Sequence, residues 1–333
     1  MFLLDFSKPI NILELPQEKE WQKNIISFLK DWYNNSETMV TQTSGSTGIP
    51  KDIVLTKSAM TESASLTGKY LNLSSGDTAL LCMPSLYIAG KMMLVRSIVW
   101  NLKLYCIEPS SYPLKNTDKK FTFSAMTPMQ VEKSLEKIEN IDKLIVGGAQ
   151  IPSSLLSKLK FLNTDVYESF GMTETISHIA LKKVSGNSPC TSFQLLPNTK
   201  IRVDRRGCLC IQPSFLSEEI ITNDLVSIIS DREFEWQGRI DNIINSGGIK
   251  IFPEKVEKQL KSIINREFII SSREDAVLGK KVILIVEGDI IPELKEMVSQ
   301  FTFDSKYEKP KEIIYVNQFE RTKTGKIIRN KIF

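Results

Sequence analysis

Apolar positions along this chain follow two periods, and the switches between them mark the elements. Trp21, Ile25, Phe28, Leu29 and Trp32 recur at helical spacing with charges between them, which predicts a helix over 17–33. A polar stretch rich in Ser, Thr and Gly follows (41–51). A second helix is then predicted over 58–71, capped by Thr56 or Ser58. Next, short apolar runs alternate with helical patterns. They predict strands at 79–83, 103–107, 121–125, 143–146 and 165–168, and helices at 91–100, 131–138 and 153–160. A β-α-β-α rhythm of this kind implies a largely parallel sheet covered by helices.

After Ala180 the texture changes to short strands and turns, at 200–204, 208–212 and 226–230, which predicts a smaller, mostly antiparallel lobe. Residues 238–248 read as a polar, glycine-containing link. Beyond it, helices at 253–264 and 292–300 and strands at 267–271 and 281–287 form an α+β pattern of their own. The expected class is α/β. A large N-terminal domain (1–238) would hold a mostly parallel, helix-covered sheet and a small β lobe. A small mobile α+β C-terminal domain (239–333) would follow.

The 333 residues are 41% hydrophobic and 25% charged, ordinary for a globular protein. A net charge of +4, with lysines spread along the chain, reads as a solvated surface rather than a nucleic-acid face. The five cysteines are odd in number and irregularly spaced, which argues against a disulfide framework. Cys208 and Cys210 would share one face of a strand, as core residues. With His178 the single histidine, a metal site built on Cys or His is not expected. Met1–Phe6 is too short an apolar run for a signal peptide, and the longest apolar stretch, 92–107, is broken by Arg96, Asn101 and Lys103. No membrane span is expected, and the chain reads as soluble and cytoplasmic.

Four segments carry chemistry. Thr43-Ser44-Gly45-Ser46-Thr47-Gly48-Ile49-Pro50-Lys51 combines hydroxyls, glycines and a cation, a composition able to wrap phosphate oxygens. It is not a nucleotide P-loop, because Pro50 separates the last glycine from the lysine. Ser169-Phe170-Gly171-Met172-Thr173-Glu174-Thr175 follows a predicted strand, at the place where ligands collect in open α/β sheets. Glu174 there is a hard oxygen donor suited to Mg²⁺. The third segment runs from Gly238-Arg239-Ile240-Asp241 through Gly247-Gly248 to Glu257. The fourth is Arg321-Thr322-Lys323-Thr324-Gly325-Lys326.

With these four in this order, the chain from about residue 40 onward resembles the adenylate-forming superfamily of acyl-CoA synthetases and adenylation domains. The resemblance implies an acid–thiol ligase that uses ATP, Mg²⁺ and coenzyme A, joins a carboxylic acid to AMP and passes the acyl group to a thiol. It assigns the ATP phosphates to Thr43, Ser44, Gly45, Ser46, Thr47, Gly48 and Lys51. The adenine side falls to Gly147, Gly148, Ala149, Phe170 and Gly171, the α-phosphate to Thr173, Mg²⁺ to Glu174, and the ribose to Asp224 and Arg239. Asp241 falls at the hinge between the domains. Gly247 and Gly248 would lie near the pantetheine tunnel, and Lys326 would be the catalytic lysine.

Pro84–Arg96 and Gly171–Leu181 look like the corresponding parts of short bacterial o-succinylbenzoate–CoA ligases of menaquinone synthesis. That substrate is an aromatic diacid whose second carboxylate needs an anchor. Tyr87, Lys91, Arg96, Ser177 and His178 are the candidates. In a strand, Ser177 and His178 would face opposite sides, so that only one meets ligand. Relatives carry a much longer segment before the phosphate loop, so part of the usual first subdomain is expected to be absent. The family also implies a possible homodimer. The competing readings are a coenzyme A ligase or carrier-protein-loading enzyme for another aryl or fatty acid, and a non-catalytic relative that holds AMP or an acyl-adenylate.

Overall fold

The alternating runs fold as a helix-flanked sheet in a computed structural model that describes residues 1–42, 52–321 and 327–329. In chain order the first part comprises β1 (Phe2–Asp5), α1 (Glu20–Tyr33), β2 (Thr38–Gln42), β3 (Asp52–Thr56), α2 (Lys57–Tyr70), β4 (Thr78–Leu81), α3 (Ile88–Val99), β5 (Lys103–Cys106), β6 (Phe121–Met126), α4 (Pro128–Lys133), β7 (Ile141–Val146), α5 (Ser153–Leu159) and β8 (Asp165–Gly171). The middle part is all strand: β9 (His178–Lys183), β10 (Phe193–Leu195), β11 (Thr199–Val203), β12 (Cys208–Pro213), β13 (Ile220–Ser230) and β14 (Glu233–Arg239). The last part holds β15 (Ile244–Ser246), β16 (Ile249–Ile251), α6 (Pro253–Leu260), β17 (Phe268–Asp275), β18 (Gly279–Glu287), α7 (Leu294–Gln300) and β19 (Glu312–Val316).

Strands β5, β4, β6, β7 and β8 are mutually parallel. Their near-continuous apolar runs suit a sheet buried on both faces. Phe121, Phe123, Leu80, Leu144 and Val166 are buried within it. α1 turns Ile25, Ile26, Phe28 and Leu29 inward, the stripe that its periodicity predicts. Thr56 caps α2, its hydroxyl accepting from the Ala59 N–H at 3.2 Å. α2 approaches α3 closely because Gly68 has no side chain. A Cβ there would lie 2.0 Å from Nε1 of Trp100, whose indole donates to the Ala64 carbonyl at 3.1 Å.

Several expectations need correction. The antiparallel strands after Ala180 continue the parallel sheet through the β8–β9 pair, so twelve strands share one sheet in the order β1-β5-β4-β6-β7-β8-β9-β10-β14-β13-β12-β11. They do keep a small apolar cluster of their own, around Phe193, Leu209 and Phe234. The predicted helix 131–138 is a short α4 followed by a tighter helical turn over Leu135–Asn140. The predicted link 238–248 is ordered: β14 runs to Arg239, one helical turn covers Ile240–Asn242, and β15 and β16 form a hairpin. Gly247 and Gly248 make its two-residue turn with φ of 58° and 81°. Strand β8 extends past Glu168 to Gly171, and the turn begins only at Met172.

From Ile244 onward the residues form separate apolar clusters, in which α6, α7 and the sheet β17-β18-β19 pack together. Cys82, Cys106, Cys208 and Cys210 are buried and all five cysteines are free thiols. Among the described residues no helix is long and apolar enough to cross a membrane.

Candidate active site

The turn between β8 and β9 carries Thr173 and Glu174. Thr175, fully buried, braces it: its hydroxyl accepts from the Met172 N–H at 2.9 Å and lies 2.7 Å from the Ser177 carbonyl. Gly171 is required by close approach, since a Cβ there would lie 2.3 Å from the Ser177 carbonyl oxygen and 2.4 Å from the His178 Cα. The braced turn leaves Glu174 exposed and without an ion pair or hydrogen bond among the described residues. A hard carboxylate on a fixed turn, with no cation paired to it among the described residues, fits a magnesium ligand. The Phe170 ring, half-buried, packs edge-on against Phe193 and Phe234 with centroids 5.6 and 5.1 Å away. Gly147 follows β7. The register pairing Val146 with Glu168 sets Gly147, Gly148 and Ala149 beside Ser169–Gly171 at the carboxyl ends of the parallel strands. Gly147 is in tight contact there, because a Cβ would lie 2.4 Å from the Ser169 hydroxyl.

The same turn delivers two side chains to the α2–α3 interface. Arg96 on α3 is 2% exposed, and its Nη2 donates to Ser177 Oγ at 2.6 Å and lies 3.4 Å from His178 Nδ1. His178 Nε2 lies 3.1 Å from Thr67 Oγ1 on α2. No carboxylate pairs with Arg96 among the described residues, and its Nε has no hydrogen-bond partner. Burial alone pulls the guanidinium pKa down to about 9, and burial followed by the Arg96 charge holds His178 well below its ordinary value. Ser177 precedes β9 rather than lying in it, and Ile176 has φ 65°. The strand alternation therefore does not apply, and both Ser177 and His178 reach Arg96. The expectation that the two side chains face opposite sides is corrected.

Lys91 and Tyr87 do not join this cluster. Lys91 Nζ donates to the Val40 carbonyl on β2 at 3.0 Å, with its pKa lowered by burial. Tyr87 precedes α3 and bridges to Gln42. Both therefore sit by the strand ends that bracket 43–51. The phosphate-loop candidates Thr43, Ser44, Gly45, Ser46, Thr47, Gly48 and Lys51 lie outside the described residues. Their flanks are held together by the β2–β3 pair, in which Gln42 opposes Asp52. Lys326 also lies outside the described residues.

Asp224 on β13 is 7% exposed. Its Oδ1 accepts from the Trp236 indole N–H at 2.9 Å, and Arg239, its register partner on β14, approaches Oδ2 at 3.7 Å. Arg239 also donates to Asp241 at 2.8 Å, and Asp241 accepts from Asn223 Nδ2 at 3.0 Å. Burial lowers the Arg239 pKa, but the two aspartates outweigh it and the net direction is upward. Gly247 and Gly248 are exposed at the tip of the β15–β16 hairpin. Sequence reasoning missed Thr67 and Trp236. Each is the hydrogen-bond partner of a candidate, and neither belongs to a motif that could have signalled it.

Residues 3–211 match the AMP-binding enzyme family. A 2-succinylbenzoate–CoA ligase from Oceanobacillus iheyensis is 25% identical over 345 residues, covering 93% of this chain and 72% of that protein. The corresponding protein of Lactococcus lactis is 21% identical, covering 92% and 73%. Among solved structures, an acyl-CoA synthetase (AMP-forming)/AMP-acid ligase II-like protein from Dyadobacter fermentans is 34% identical with a TM-score of 0.69, covering 98% of this chain and 97% of that one. The o-succinylbenzoate–CoA synthetase of Bacillus subtilis, solved with ATP and magnesium ion, shares the fold with a TM-score of 0.72 at 22% identity, over 88% and 69% of the two chains. With most of its length matched and the sheet, turn and candidate residues arranged as described, this chain belongs to the AMP-binding enzyme family of AMP-forming ligases.

Proposed function

We propose that the protein converts o-succinylbenzoate to o-succinylbenzoyl-CoA through an acyl-AMP intermediate. The observation that carries this reading is the buried Arg96 guanidinium, held by Ser177 and His178 with no acidic partner among the described residues. A buried cation without a counter-charge is costly, and a ligand carboxylate would relieve that cost. A diacid supplies one carboxylate for Arg96 and a second for activation. The names of the Oceanobacillus and Lactococcus relatives support the same acid.

In this reading Thr43–Gly48 and Lys51 hold the ATP phosphates, Gly147–Ala149, Phe170 and Gly171 flank the adenine, and Asp224 and Arg239 take the ribose hydroxyls. Thr173 meets the α-phosphate. Glu174 holds Mg²⁺, which when bound offsets phosphate charge. The free carboxylate oxygen of the acid attacks the α-phosphorus and pyrophosphate leaves, with Lys326 stabilising the developing charge. The C-terminal domain (239–333) then turns about Asp241. The coenzyme A thiol, admitted past Gly247 and Gly248, displaces AMP and releases a proton.

AMP release from ATP, with and without coenzyme A, tests this across o-succinylbenzoate, benzoate, 2,3-dihydroxybenzoate and medium-chain fatty acids. The expected result is turnover that needs both o-succinylbenzoate and coenzyme A and that falls at least about 100-fold in Lys326→Ala. Turnover with another acid and none with o-succinylbenzoate would discard the substrate. Transfer to a carrier protein in place of coenzyme A would discard the acceptor.

A further inference from the structure

We propose that Thr67 is a positioning residue of the acid site. It fixes His178 as the Nε2–H tautomer, so that Nδ1 accepts from Arg96 and orients the guanidinium without neutralising its charge. The inference deepens the proposed function, because it says how Arg96 is kept ready for a carboxylate.

Each hydrogen bond in the cluster needs one proton and one lone pair. The Thr67 hydroxyl has one proton, and it goes to the Ser63 carbonyl one turn back on α2, at 3.0 Å. Toward His178 Nε2, at 3.1 Å, the hydroxyl oxygen is therefore an acceptor, and Nε2 must carry the proton. The other side of the ring gives the same answer. Arg96 Nη2, at 3.4 Å, can only donate, so Nδ1 must be a bare acceptor. Ser177 Oγ already accepts from Arg96 and lies 3.4 Å from Nδ1, where its own proton would share the single Nδ1 lone pair with Nη2. An imidazolium or the opposite tautomer would set N–H against N–H at the guanidinium. Burial and the Arg96 charge both oppose the imidazolium.

A neutral acceptor is the partner this site needs. A carboxylate in place of His178 would hold Arg96 equally well but would cancel its charge, leaving nothing for a ligand anion. The imidazole Nδ1 fixes the direction of Nη2 and leaves the full positive charge in a buried cluster, where it acts strongly. Thr67 reaches His178 because Gly68, the next residue, lets α2 settle against α3.

His178 is the only histidine in the chain, so its ring nitrogens can be read without assignment. In protein labelled with ¹⁵N-histidine and made without a histidine tag, a long-range ¹H–¹⁵N correlation spectrum at pH 7 should show a single neutral Nε2–H ring. Thr67→Val keeps the shape and removes the acceptor. It should mix in the Nδ1–H tautomer and raise KM for o-succinylbenzoate about tenfold, with kcat changed less than about twofold. Thr67→Ser should restore both readouts. Ser63→Ala, one turn away on the same helix, removes a buried hydroxyl that has no partner and should change neither. An Nδ1–H or doubly protonated ring in the unaltered protein overturns the proposal, and that measurement needs no variant. Thr67→Val with wild-type tautomer, or with altered tautomer but unchanged KM, also overturns it. The spectrum needs no substrate, so a wrong acid would show as absent turnover beside an intact Nε2–H signal.

Discussion

Arg96, 2% exposed, and Arg329, with 24% of its side chain exposed, are two guanidiniums in opposite circumstances. Arg329 Nη2 donates to Glu257 at 2.7 Å and Nη1 to the Ile270 carbonyl at 3.2 Å, while Glu257 also accepts from the Ile270 N–H at 2.7 Å. Burial pulls the Arg329 pKa down, but the Glu257 charge outweighs it and the net direction is upward. Both Nη atoms of Arg329 and both carboxylate oxygens of Glu257 have partners, and the pair ties Arg329 to α6 and β17. Arg96 is deeper and, among the described residues, meets only neutral groups, and its pKa falls to about 9. One arginine completes a structure and the other is left incomplete by it. The deeper guanidinium is the one without an acidic partner among the described residues, so the partner rather than depth marks the structural role.

Substitutions can break this comparison. The largest effect is expected at Arg329→Met, which strands Glu257 as a buried charge and should cost about 3–5 kcal/mol of C-terminal stability, read by denaturant unfolding. The double variant Glu257→Leu/Arg329→Met should recover most of that loss, and no recovery would show that packing rather than charge dominates there. Arg96→Met should do the reverse. It removes an unpaired buried cation, so the unfolding midpoint should hold or rise. The specificity constant for o-succinylbenzoate should fall by about 3 kcal/mol, or roughly 100-fold. A large loss of stability would instead make Arg96 a structural residue like Arg329.

A smaller effect is expected at Trp236→Phe, which removes the indole donor to Asp224. The lost hydrogen bond to a carboxylate corresponds to about 1.5 kcal/mol, a rise of roughly tenfold in KM for ATP, with kcat nearly unchanged. The smallest concerns pH. The folded pKa of His178 lies well below its ordinary 6.5, so the unfolded chain binds the proton first. Its contribution to stability is complete above pH 6.5 and is lost as pH falls below that value, at up to about 1.4 kcal/mol per pH unit. His178→Gln should therefore flatten the decline of Tm between pH 7 and pH 5.5. An unchanged slope would mean that the ring is protonated in the folded protein.

The comparison also marks how far the sequence could be read. The β-α-β-α rhythm, the helix face of α1 and the Thr56 cap were legible because each depends on residues within a turn or two of one another. The candidate motifs were legible for the same reason, since glycine, hydroxyl and carboxylate stand side by side in them. The short antiparallel strands were also read locally, but their attachment to the parallel sheet was not. That depends on β8 continuing to Gly171, which carries the hairpin into β9. The placing of Ser177 and His178 on opposite sides of a strand did not hold, because β9 begins only at His178 and Ser177 belongs to the preceding turn.

What the sequence determined by itself is the family chemistry and the identity of the groups that could perform it, because motif and periodicity are local properties. Which of those groups act together was decided only by tertiary structure. Arg96 meets Ser177 across 81 residues of chain, and Thr67 meets His178 across 111. No local pattern encodes a proton shared over such distances. It follows from packing α2 and α3 against the end of a sheet, which brings a threonine, a histidine and an arginine into one buried cluster and leaves the arginine without a counter-charge among the described residues.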